Sequence, residues 1–292
     1  MKIFILGRGK TGTTAILFKV AAGLPNCQAF SGGDIGKHLG KNLGDFENAV
    51  YKHTYSERKG RTLDAYRDHA IEVTYDRKIW MARDPRDAAV SRMLFRWHKG
   101  NWGQGKQYRE HLELVQKKEQ DPTSIPFHVL FSYIGHDGRP MTKDELVEME
   151  RVRCQQMSAF AESLNSEWFI FKYEDMIEKN YDGLNEYLGF QIKDDAEVPT
   201  TTKKSKVVRK KAYGDWRHWY TEEDVDLFKP AYLPYMEAIG YDCDDWTLNP
   251  NPVIEPEFSS MYMKGLIRKY NQHTIRNIKD FVLKPFGKSR GK

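Results

Sequence analysis

Ile3-Phe4-Ile5-Leu6-Gly7-Arg8-Gly9-Lys10-Thr11-Gly12-Thr13-Thr14 is the stretch whose reading decides the fold. Four apolar residues make a short strand, and three glycines between positions 7 and 12 make a turn. From Thr13 to about Ala22 the spacing of Ala15, Leu17/Phe18 and Ala21/Ala22 is helical, and Gly23-Leu24-Pro25 stops it. Strand, glycine turn and helix in that order open a βαβ unit. The turn aims several backbone N–H groups into one concavity, and the helix N-terminus adds partial positive charge. Such a segment holds a phosphate-like anion. The plainer alternative is a glycine turn that only lets the helix pack closely. The nucleotide-kinase loop G-x4-G-K-[ST] fails in both frames. Thr13 stands where its lysine belongs, and reading Gly9-Lys10-Thr11 as its end would need a glycine at position 4, which is Phe4.

The same alternation continues outward. Ala49-Val50-Tyr51, Lys78–Ala82 and Trp168–Phe171 read as further strands. Helical stretches follow or intervene: about Arg86 to Trp97, Met141–Leu164, and Glu174–Leu188. Strands alternating with helices predict an α/β fold with a mainly parallel central sheet flanked by helices. Residues 99–140 are polar and read as an insertion or lid. Residues 1–248 form the expected α/β domain, and 249–292 a Pro-containing linker followed by a basic tail.

Composition bounds the function. The chain has 292 residues, 40% hydrophobic and 13% aromatic, enough for a sizeable core, which excludes a wholly disordered protein. Cys27, Cys154 and Cys243 are odd in number, far apart and without a CxxC, which excludes a disulfide scaffold and points to a reducing, cytoplasmic setting. No run approaches the roughly 18 apolar residues of a spanning helix. Between Lys264 and Lys292 the net charge is +8 in a chain whose total is +5, so the remainder carries −3. A nucleic-acid footprint would spread basic residues over one face of the fold, so no nucleic-acid partner is expected. The histidines are scattered and no metal motif is present.

Lys10-Thr11-Gly12-Thr13-Thr14 resembles the [KR]-[ST]-G-T-T loop of sulfotransferases that use 3′-phosphoadenosine-5′-phosphosulfate (PAPS). Three further segments follow in that family's order. Arg83-x-Pro85-x-Asp87-x-x-x-Ser91 is similar to its strand–helix motif for the 3′-phosphate. Tyr173-Glu174-Asp175-Met176 resembles Y-E-D-[LM], and Arg209-Lys210-Lys211-Ala212-Tyr213-Gly214-Asp215-Trp216 resembles R-K-G-x-x-G-D-W. Ile239-Gly240-Tyr241 is similar to the l-G-Y ending often seen after them.

The resemblance implies a P-loop-like sulfotransferase architecture, PAPS as co-substrate, and no metal. It places Arg8, Gly9, Lys10, Thr11, Gly12, Thr13 and Thr14 around the phosphosulfate. Arg83, Ser91, Arg209 and Lys210 would hold the 3′-phosphate, and Tyr173 would lie near the adenine. Lys211 replaces the family's glycine, losing a backbone contact and adding a charge. A planar guanidinium grips a phosphate with two parallel hydrogen bonds, which suits Arg83. An internal Arg/Asp network within residues 83–87 is the competing reading, and Trp216 reads as structural. Lys10 is the expected catalytic cation. For the general base, Lys52-His53-Thr54 resembles the family's K-T-H segment with its order altered. On a strand Lys52 and His53 would face opposite ways. His53 is the first candidate base, with Asp34 and Glu47 as carboxylate alternatives.

The acceptor is expected to be a hydroxyl or amine, with carbohydrate favoured by Trp80, Trp97, Trp102, Tyr108 and Tyr133 as stacking surface. Residues 264–283 have an apolar helical stripe opposite basic residues. Two readings stand: a peripheral contact with an anionic inner-membrane face and a lipid-linked glycan, or a helix packed on the domain. A small-molecule kinase and a non-catalytic nucleotide-binding or membrane-adaptor protein are the alternative functions.

Overall fold

The computed structural model of the chain describes residues 1–32, 46–55, 63–72, 74–98, 105–135, 139–198 and 210–268. Among these, β1 (Lys2–Arg8), β2 (Cys27–Gly32), β3 (Asn48–Tyr55), β4 (Arg77–Ala82) and β5 (Trp168–Lys172) form one sheet in the order β2-β3-β1-β4-β5. Every pairing is parallel, with Gly7 opposite Thr54 on one side and Met81 on the other. The central strands are buried on both faces, as a parallel sheet requires, which is why Ile3–Leu6 and Ile79–Ala82 read as unbroken apolar runs.

Alternate residues divide the core in two. Ile3, Ile5, Val50, Ile79 and Met81 pack with α1 (Thr13–Ala22), α7 (Tyr173–Glu178) and α8 (Asp182–Leu188). Phe4, Leu6, Tyr51 and Trp80 face a larger cluster. It includes α2 (Leu63–Glu72), α3 (Pro85–Phe95), α4 (Lys106–Gln120), α5 (Phe127–Phe131), α6 (Lys143–Glu162), α9 (Trp216–Trp219) and α10 (Glu222–Ile239). The helix after β1 thus leaves to one face and the helix after β4 to the other. The crevice between two such strand ends is the position at which open α/β sheets bind ligands.

Several elements differ from the expectations above. β2 has no counterpart in the pattern reading, and β3 runs from residue 48 to 55 rather than 49 to 51. The described part of 99–140 is largely helical, and Tyr108, His111, Val115, Phe127, Leu130 and Phe131 are buried. The stretch from Asn249, expected as a linker, is packed on the domain. Asn249 N donates to the Arg217 carbonyl, Val253 N donates to His218 Nδ1, and Ile254 is buried. Residues 260–268 are helical, with Met263, Leu266 and Ile267 buried, so the start of the basic stretch packs against the domain. Residues 269–292 lie outside the described residues. No helix among the described residues is long and apolar enough to cross a membrane.

Candidate active site

The turn after β1 needs its glycines. A Cβ on Gly7 would come within 2.8 Å of Thr13 and Met81, and Gly12 has φ +81°. A Cβ on Gly12 would also meet the Tyr173 ring at 2.7 Å and Met176 at 2.9 Å. Any side chain here is both strained and blocked. Lys10 adopts a left-handed φ of 79°, an uncommon conformation for a non-glycine residue. The turn is closed by Thr11, whose N–H and hydroxyl both donate to the Arg8 carbonyl. α1 then begins at Thr13 with neither a side-chain cap nor an acidic residue in its first turn, leaving the positive end of the helix available to an anion. Beneath it, the buried Lys52 donates to Thr14 Oγ1 at 3.0 Å.

After β4 the sequence Arg83-Asp84-Pro85-Arg86-Asp87 divides its labour. Asp84 caps α3 by accepting from Arg86 N, with Pro85 in the first turn. The Asp84 carboxylate also takes the Arg86 guanidinium, which packs over the rings of Trp216 and Trp246, 4.2 and 4.7 Å from their centres. The internal network is therefore real, but it is made by Asp84 and Arg86. Arg83 instead donates to the Lys10 carbonyl at 3.0 Å and lies over the Tyr173 ring at 4.1 Å. Its Nε remains a buried donor without an acceptor among the described residues. Asp87, also buried, accepts from the N–H groups of Gly214 and Trp216, which fastens the 210–216 segment to α3. Glu174 completes the frame by accepting from Asp84 N and from the Tyr241 hydroxyl at 2.8 Å, with Gly240 ending α10 at φ +72°.

These elements enclose one open pocket. Lys10, Gly12, Arg83, Asp87, Ser91, Tyr173 and Lys210 line it, together with His218 and Trp219 of α9 and residues 253–255, 258, 259 and 262. Lys210 Nζ lies 2.9 Å from Asp215 Oδ1. Burial works against its charge, but the hydrogen bond and charge of Asp215, aided by Glu255, outweigh it and raise the ammonium's pKa above its ordinary value. Lys211 is exposed and is not a lining residue. Arg209 and Asp34 lie outside the described residues. A second, smaller cleft touches the other side of the loop at Arg8, Gly9 and Thr11, with Arg92, Glu150 and Arg153 around it. Nothing in the sequence patterns singled out that cluster, Asp87's loop-holding role, or the 253–262 wall.

Two candidate bases lie apart from the pocket lining among the described residues. Lys52 and His53 do face opposite ways, and His53 takes the face away from α1. It is 1% exposed, its ring 5.1 Å from Phe4 and 6.3 Å from Tyr66, and neither cavity includes it. Glu47 precedes β3, at the opposite end of a parallel sheet from the phosphate loop, roughly 20 Å away at ~3.3 Å per residue. The aromatic stacking surface is corrected: Trp80, Trp97 and Tyr108 are buried in the core, and Tyr133 stacks on the buried His111. Trp102 lies outside the described residues. No group of three or more metal-ligating side chains occurs among the described residues.

No protein-family model matches the chain, and no curated protein matches it. Solved structures that align with it include two sulfotransferases. Mouse sulfotransferase SULT7A1 complexed with PAP does so at 17% identity and a TM-score of 0.46, over 80% of this chain and 84% of that one. A sulfotransferase from Alicyclobacillus acidocaldarius does so at 18% identity and a TM-score of 0.37, over 82% of this chain and 96% of that one. At these values the functional reading rests on the chain's own residues.

Proposed function

We propose that the chain is a PAPS-dependent sulfotransferase acting on an acceptor hydroxyl or amine. The observation that carries this is a single pocket collecting Lys10 and Gly12 of the phosphate loop, Arg83 and Ser91 of the β4–α3 unit, Tyr173, and Lys210. The donor set fits a nucleotide with anionic groups at two positions. Backbone amides and Lys10 serve one end, and a guanidinium with an unsatisfied Nε, a hydroxyl and an ammonium serve the other.

PAPS would supply the sulfuryl group already joined to a phosphate leaving group. The acceptor oxygen or nitrogen attacks sulfur, the bond from sulfur to the bridging oxygen breaks, and the acceptor's proton passes to a base. Positioning and electrostatics should dominate, as in phosphoryl transfer. Lys10, whose ammonium sits beside Phe95 at the pocket, is the cation for the charge that builds on the bridging oxygen. Arg83 ties the Lys10 carbonyl to the 3′-phosphate side, so one residue orients both ends of the donor. The base candidates read from the sequence are His53, Asp34 and Glu47, and His53→Ala, Asp34→Asn and Glu47→Gln assayed for turnover with nucleotide binding retained would assign the role.

Thermal unfolding with 3′,5′-ADP, AMP, and ATP plus Mg²⁺ tests the reading. A ligand at about 100 times its dissociation constant adds roughly 2.7 kcal/mol, a clear midpoint shift. The expected result is a large shift with 3′,5′-ADP alone. A shift with ATP plus Mg²⁺ alone overturns it in favour of a kinase. Lys10→Met should keep nucleotide binding and lose turnover.

A further inference from the structure

The nucleotide pocket has a wall that none of the phosphate-binding motifs supplies. Residues 253–262 follow the last of those motifs in the chain, yet Ile254, Glu255, Phe258 and Tyr262 line the same cavity as Arg83 and Lys210. This strap is pinned on both sides of Glu255. Upstream, Val253 N donates to His218 Nδ1 at 2.9 Å. Downstream, Ser260 N donates to Glu119 Oε1 at 2.7 Å and its hydroxyl to Oε2 at 3.0 Å, docking the strap on α4. The Ser259 hydroxyl closes the turn by donating to the Glu255 carbonyl at 2.7 Å.

The pinned turn holds the Glu255 carboxylate 3.4 Å from Lys210 Nζ, as a second carboxylate partner beside Asp215. Resting on the reading of Lys210 as a 3′-phosphate ligand, we propose that Glu255 tunes the affinity for that phosphate. Its carboxylate occupies Lys210 in the free protein and is exchanged for the 3′-phosphate when the nucleotide binds. Both anions compete for one ammonium, and like charges at this separation repel. Asp215 also touches Lys210, but it sits in the segment that Asp87 fastens and stays with the cation in either state. Glu255 is the partner that half-faces solvent, with a side chain 52% exposed, and so the one that can withdraw. The consequence is a site that releases a nucleotide bearing a 3′-phosphate more readily than its cations alone would allow. A nucleotide without that phosphate leaves the Glu255–Lys210 pair in place.

The test is calorimetric titration of the full chain and of Glu255→Gln with 3′,5′-ADP and with 5′-ADP, at low and high salt. Glu255→Gln should bind 3′,5′-ADP roughly three- to fivefold more tightly, the scale of an exposed ion pair, with the gain shrinking as salt rises. Affinity for 5′-ADP should not change. Equal tightening toward both nucleotides, or none toward 3′,5′-ADP, overturns the inference while leaving the proposed function standing. Absence of 3′,5′-ADP binding by the unaltered chain overturns the proposed function and this inference with it. Because Glu255 is exposed, the variant folds. Matching thermal midpoints without ligand check this.

Discussion

Asp87 is a carboxylate placed where a carboxylate is costly. It is 2% exposed, and burial raises its pKa to about 7, with the neighbouring Asp84 charge adding to the effect and Arg83 and the Gly214 and Trp216 amides opposing it. An acid whose folded pKa is raised holds its proton in the native state longer than in the unfolded chain. Its contribution is fully present below the ordinary value of 3.8 and is lost as pH rises through about 7. Asp87→Asn removes this dependence. Compared with wild type, the variant should therefore gain stability between pH 5 and pH 8, read from paired urea-unfolding curves. A constant difference across that range would show that Asp87 is ionised throughout.

α3 brings Asp87, Val90, Ser91 and Leu94 to the pocket, and three separate contacts fix its pose. Asp84 caps it, the Arg86 guanidinium packs over two indoles, and Arg92 runs to Glu150 on α6. Glu150 is 1% exposed and also takes Arg153 and the Tyr232 hydroxyl. Removing one partner of a buried ion pair leaves charge without compensation and costs about 3 kcal/mol or more. Glu150→Gln should lower the unfolding free energy by that amount in denaturant titration. A loss under about 0.5 kcal/mol, the scale of an ordinary surface substitution, would mean that α3 does not depend on the pair.

At the scale of the molecule, the strap behind the pocket is also core. Ile254, Met263, Leu266 and Ile267 are each at least nine-tenths buried. Burying such side chains contributes roughly 1.5–3 kcal/mol each, together comparable with a whole domain's stability of about 5–15 kcal/mol. A chain ending at residue 252 should lose its sharp thermal transition and near-ultraviolet dichroism. Retention of both would show that the first 252 residues fold alone. This wall was not legible in the sequence, since Asn249-Pro250-Asn251-Pro252 carries the signature of a linker and its packing depends on distant partners, His218 and Glu119. The strand–turn–helix units at β1, β4 and β5 were legible, because apolar runs there end in polar turns with fixed residue types. β2 was not, since Cys-Gln-Ala-Phe-Ser-Gly is an edge strand without an apolar run. α10 was hidden by Pro230 and Pro234 within it, although Thr221 and Asp224 cap its start. The burial of His53 was not legible because a segment's type says little about which face of the sheet becomes core.

The pairing of Gly7 with Met81 has a consequence for anyone remodelling this protein. Arg83 follows Met81 by two residues and Lys10 follows Gly7 by three, so the register of the sheet sets the two strand ends from which Arg83 reaches the Lys10 carbonyl across the turn. One residue inserted in β1 or β4 turns every following side chain to the other face, and the two halves of the anion cradle then point away from each other.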